Sequence, residues 1–147
     1  MKLINLDTLP QVAMEFMNDV HEEDVNIIND LYEFITEYES NPTQEHEKNI
    51  TNKYQEWFDH TVAHFKREEE KMIELHFPPY PVHKGEHDNA LHTMDTIFRD
   101  WNSSKDIAAL KEYLENQLPE WLVHHIQTMD TVTAMFFKTG LSPCSAH

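Results

Sequence analysis

Apolar residues return along this chain at helical rather than alternating intervals. Val12, Phe16, Val20, Ile27, Ile28, Leu31 and Ile35 form one such stripe. It predicts a first helix from about Pro10, which suits a first helical turn, to Ser40, preceded by an arm over residues 1–9. Asn41-Pro42-Thr43-Gln44 predicts a cap, a first-turn proline and a capping-box glutamine for a second helix. Ile50, Trp57, Phe58, Val62, Phe65 and Met72 carry that helix to about His76, where Phe77-Pro78-Pro79-Tyr80-Pro81 stops it. A third helix is expected from about Val82 to Trp101. Asn102-Ser103-Ser104 then forms a link, with Ser103 or Ser104 as the next cap. The fourth helix runs from about Lys105 to Lys138 with Gly140 closing it, and Pro119 inside it predicts a kink or a break. Four helices joined by short links predict an all-α, up-down-up-down antiparallel four-helix bundle over about 10–138. Residues 1–147 form one domain in this reading, without internal repeats.

Composition sharpens this picture. Two glycines are too few for a protein built on hairpin turns. Eleven basic against 27 acidic residues leave a net charge of −16, which repels nucleic acid and anionic membrane surfaces. No segment approaches a membrane span, the first ten residues lack the apolar core of a signal peptide, and Cys144 is the one cysteine. A cytoplasmic protein in a reducing compartment is the expectation. Eleven histidines, spread through the chain, are the unusual feature.

Ligands on one helix should stand three or four residues apart, because those positions share a face. His64 and Glu68 do so on the second helix, and His83 and His87 on the third. The first helix offers His21 within its apolar stripe, and the fourth offers His124, His125 and Asp130. Counted at 1.5 Å per residue from the links, these positions reach a common height, near the end of the bundle that carries Pro78–Pro81. Five histidines with two carboxylates suit a pair of borderline metals, since imidazole accepts iron, zinc or copper and carboxylates bridge cations. A ferritin-like carboxylate scheme needs a Glu-x-x-His motif on two helices, and no glutamate here has a histidine three residues later.

These residues resemble the hemerythrin family, the bacterial members above all. Asn18-Asp19-Val20-His21 followed by Ile27-Ile28-Asn29-Asp30-Leu31 is similar to its first-helix segment. His64-Phe65-Lys66-Arg67-Glu68-Glu69-Glu70-Lys71-Met72 resembles its HFxxEExxM motif. His83 to His87 resembles its HxxxH helix, and Trp121 to Asp130 its WLxxHIxxxD segment. The resemblance implies two iron ions joined by an oxo or hydroxo bridge. His83, His87 and His125 would hold one iron, His21 and His64 the other, with Glu68 and Asp130 bridging. It implies reversible O2 binding, for storage, delivery or sensing, at an open position on the second iron, in a dry pocket near Trp121, Leu122 and Ile126. Where the family usually has a pocket leucine this chain has Asp24, with Val25 next, and a carboxylate there would admit water or act as a further ligand. The His21–His64 and His87–His125 intervals are longer than usual for the family, which implies a lengthened distal end.

His125 and Asp130 are five residues apart, about 140° round an ideal helix, so a one-residue bulge of π type is expected between them. His60 is expected beside the site or at the surface, and His124 about 100° away from it. His46, His76, His92 and His147 are expected in solvent or loops. Glu22, Glu23, Glu69 and Glu70 are expected on a solvated face, and Trp57, Phe58, Phe65 and Met72 in the core. A non-enzymatic O2 binder is the first reading. A di-iron enzyme acting on peroxide or nitric oxide, with Asp24 as its polar group, and an iron-handling protein are the alternatives.

Overall fold

The computed structural model describes residues 3–140, so Cys144 and His147 lie outside the described residues. The long helices are α1 (Glu15–Ser40), α2 (Gln44–Glu74) and α3 (Tyr80–Ser104). A segmented fourth arm follows: α4 (Ile107–Glu112), a π-helical turn Tyr113–Gln117, α5 (Leu118–His125), a second π-helical turn Ile126–Asp130, and α6 (Thr131–Thr139). Helix α1 packs on α2, α2 on α3, and α4 returns against α1, giving the four-helix bundle.

Local chemistry sets the helix boundaries. Helix α1 begins at Glu15 rather than near Pro10, because the Asn18 side chain engages the irregular arm before it. Its Oδ1 accepts from the Val12 N–H at 2.9 Å and its Nδ2 donates to the Val12 carbonyl at 2.9 Å. The arm contains a 3-10 turn at Leu6–Thr8 and is tied down by Asn29, which bonds both the N–H (2.9 Å) and carbonyl (3.0 Å) of Ile4. Thr43, not Asn41, caps α2 by accepting from the His46 N–H, so Pro42 precedes the helix. Helix α3 starts two residues earlier than expected, at Tyr80, with Pro81 in its first turn. It also runs on through Ser103 and Ser104, and Asp106 caps the fourth arm through the Ala109 N–H.

Pro119 does not break the fourth arm. The π-helical turn just before it carries a bond from the Leu118 N–H to the Tyr113 carbonyl. Widening the helix there relieves the clash that a proline ring makes with the carbonyl four residues back. Gly140, with φ +75°, ends α6 as expected. Most of the buried apolar side chains form one core around Ile28, Leu31, Ile50, Tyr54, Trp57, Trp101 and Leu114. A small second cluster, Met72, Phe77 and Phe136, closes the end beside the proline turn. Among the described residues, no helix is long and apolar enough to cross a membrane.

Candidate metal centre

Between those two cores sit the seven polar side chains picked out above. His21 comes from α1, His64 and Glu68 from α2, His83 and His87 from α3, His125 from the end of α5, and Asp130 from the end of the second π-helical turn. None is more than 6% exposed. The wide turn is what aligns the last pair. In it the Thr131 N–H reaches the Ile126 carbonyl five residues back, so positions five apart share a face.

The two carboxylates are each divided between two groups of histidines. Asp130 Oδ1 lies 3.2 Å from Nε2 of both His83 and His125, while its Oδ2 lies 2.9 Å from His21 Nε2. Glu68 Oε2 lies 2.9 Å from His64 Nε2, and its Oε1 lies 3.9 Å from His87 Nε2. Asp130 Oδ1 and Glu68 Oε1 therefore face His83, His125 and His87, while Asp130 Oδ2 and Glu68 Oε2 face His21 and His64. Ligand atoms of His83, His87, His125 and Asp130 lie within 4.8 Å of one another.

Many of these atoms lack hydrogen bonds. Nε2 of His64, His83, His87 and His125, both Glu68 oxygens and Asp130 Oδ1 are buried without a hydrogen-bond partner. His64 Nε2 is close to Glu68 but not aligned to bond it. Each buried polar atom left so costs about 1–3 kcal/mol. A cluster of them aimed at one point, all nitrogen and carboxylate oxygen, fits metal ions as the missing partners.

The outer nitrogens are arranged differently on the two sides. His87 Nδ1 donates to Glu69 Oε2 at 2.9 Å, His125 Nδ1 to Glu86 Oε1 at 2.6 Å, and His83 Nδ1 to Thr133 Oγ1 at 2.7 Å. Thr133 in turn donates to the Met129 carbonyl. Such acceptors fix the tautomer that leaves the Nε2 lone pair facing the centre. Phe65 stacks on the His87 ring at 3.8 Å and Trp121 on the His125 ring at 4.7 Å. By contrast, Nδ1 of His21 and of His64 has no partner. Glu69, expected on a solvated face, is thus turned against His87. Glu86 and Thr133 were not singled out in the sequence. Their signal was the need of each ligand-like histidine for an acceptor behind it.

Burial presses the proton off His125, but Asp130 and then Glu86 outweigh it and carry its pKa up to about 10. Burial presses His64 down as well, but the charges of Glu68, Asp24 and Asp130 together outweigh it and raise its pKa. His87 is lowered far, by burial first and then by its histidine neighbours. Burial raises the Asp130 carboxyl, but the charge and bonds of its histidines win and hold it well below the usual range.

A cavity of about 300 Å³ adjoins the centre on the His21 and His64 side. Asp24, Trp121 and Leu122 line it as expected for a pocket. Val25 and Ile126 do not: both lie in the apolar core, each one position (about 100°) beyond a residue that faces the cavity, Asp24 and His125. Asp24 Oδ1 is 3.4 Å from both Thr61 Oγ1 and His60 Nδ1, and His60 Nε2 is 3.2 Å from Glu23 at the surface. His124, His76 and His92 are exposed, and His46 is half-buried against the Asn41 carbonyl.

Residues 12–136 match the family model for the hemerythrin HHE cation binding domain. The chain is 29% identical over 136 residues to a bacteriohemerythrin of Aquifex aeolicus, covering 90% of this chain and 95% of that protein. It is 37% identical over 71 residues to a bacteriohemerythrin of Ralstonia nicotianae, covering 48% of this chain and 50% of that one. No solved structure matches it.

Proposed function

The chain belongs to the hemerythrin family, and from that premise we propose that it holds two iron ions and binds O2 reversibly. His83, His87 and His125 would hold one iron and His21 and His64 the other, with Glu68 and Asp130 bridging them beside an oxo or hydroxo group. The observation that carries this is the division of the two carboxylates taken together: Asp130 Oδ1 and Glu68 Oε1 point toward His83, His125 and His87, and Asp130 Oδ2 and Glu68 Oε2 toward His21 and His64. The two-histidine side is short of protein donors, and both of its histidines line the cavity, as only His125 does from the other group. Ferrous ions held there would supply the electrons for reversible O2 binding. The protein's own part is to place them, to brace three of the imidazoles, and to exclude water with Phe65, Trp121 and Leu122.

Anaerobic reconstitution with ferrous salt, followed by iron counting and absorption spectra through cycles of O2 exposure and removal, tests this. Two irons per chain and a colour that comes and goes with O2 are expected. Substoichiometric, labile iron would leave the iron-handling reading. Asp24 favours a second reading, a non-haem enzyme reducing peroxide or nitric oxide, because its carboxylate places a polar group on the cavity wall. Turnover with either substrate and rapid loss of the O2-sensitive colour would select it.

A further inference from the structure

The cavity is far larger than a diatomic needs. A water molecule occupies about 30 Å³ of liquid, and an engineered cavity of about 150 Å³ admits benzene. This one holds about 300 Å³. It also carries polar groups with nothing to bond. The Trp57 indole N–H is buried, 1% exposed, and has no acceptor. Tyr113, on the same wall, has no hydrogen-bond partner for its hydroxyl among the described residues. Asp24 supplies a carboxylate to the same space, and burial followed by the Asp24 charge keeps the Tyr113 phenol protonated and therefore a donor. The remaining wall is apolar: Phe65, Met94, Leu118, Trp121 and Leu122. Exposed Asn89, Thr93 and Gln117 mark a mouth between α3 and the first π-helical turn.

We propose that this cavity binds a neutral single-ring phenol, whose O–H donates to Asp24 while its oxygen accepts from Trp57 or Tyr113. The volume sets one substituted ring, and the apolar wall covers its faces. One charged acceptor beside two donors matches a hydroxyl, which both gives and takes a hydrogen bond. Asp24 and the net charge of −16 act against a carboxylate ligand. The three polar anchors Asp24, Trp57 and Tyr113 lie outside the seven candidate metal ligands, although His21, His64, His125 and Asp130 also line the cavity, so binding is compared with and without metal.

Isothermal titration of the full chain with 4-methylphenol, toluene and 4-methylbenzoate, iron-loaded and metal-free in parallel, tests it. One 4-methylphenol per chain is expected, with toluene at least tenfold weaker and no binding of the benzoate. Asp24→Asn and Trp57→Phe should each weaken 4-methylphenol by about tenfold, the loss of roughly one hydrogen bond. Thr93→Trp, at the exposed rim and away from the core, should obstruct the mouth and weaken it by tenfold or more with the helical content unchanged. Equal affinity for toluene, an unaltered affinity in Thr93→Trp, or no binding at millimolar 4-methylphenol would overturn the proposal. Binding by protein that takes up no iron would keep it and remove the di-iron reading. Two irons without phenol binding would do the reverse.

Discussion

Glu69, Glu86 and Thr133 each stand behind one histidine of the three-imidazole group, whereas Nδ1 of His21 and His64 stands unpartnered. Acceptors of this kind typically change metal affinity by about 10–100-fold. Two outcomes follow at this scale. Chelator dialysis should remove metal in two steps, with a plateau near one ion per chain; simultaneous loss of both would count against the asymmetry. Glu86→Ala should lower the affinity of the better-held ion by at least about tenfold, read by chelator competition. The protons at His125 give a third. In metal-free protein its pKa rises from 6.5 to about 10 on folding, so the stability it contributes is complete below pH 6.5 and is lost as the pH climbs through 10. His64 acts in the same direction. The urea midpoint of metal-free protein should therefore fall across that alkaline range, while loaded protein, with metal in place of the proton, should stay level. Asp24→Leu should slow autoxidation several-fold by drying the cavity wall, and an unchanged rate would show that water arrives by another path.

At the level of elements, the end of α2 shows how a single backbone position sets a junction. His76 has φ 56°, in the left-handed region, and the Phe77 N–H reaches back to the Met72 carbonyl at 2.9 Å. Phe77 and Met72 also pack together, completing a Schellman-type stop that aims the chain toward α3. A histidine is strained there, so His76→Gly should raise unfolding stability by about 1 kcal/mol in urea titration. The sequence signals for this junction were plain, because consecutive prolines cannot continue a helix. So was the bulge after His125, since five residues cannot bring two donors to one face of a regular helix. The widened turn at Tyr113–Gln117 was not legible: Pro119 signalled trouble without saying whether the helix would kink, break or widen. Nor was the start of α1, where Asn18 bonding across six residues overrode the proline signal. Glu69 read as surface because the spacing from His64 turns Glu68 inward and leaves its neighbour beside that face; only the position of α3 shows that Glu69 meets His87.

Taken whole, the bundle sets its polar centre between a large apolar core and a small one, with the N-terminal arm strapped over the larger by Asn29. The seven donors were readable because a bundle forces facing positions to a common height. The volume beside them was not, because a cavity depends on how neighbouring side chains fail to meet. The fourth arm adds a consequence for how this chain can change length. A helix normally cannot lose a residue, since everything downstream swings by about 100°. Each π-helical turn already stores one surplus residue, so dropping solvent-facing Thr128 should restore ordinary winding and leave the later faces in phase, whereas dropping Asn116 would also bring back the clash of the Pro119 ring. Dropping Gln55 from α2 should instead scramble the bundle. Single-residue deletions among natural variants of this chain should therefore concentrate in the window Ile126–Asp130.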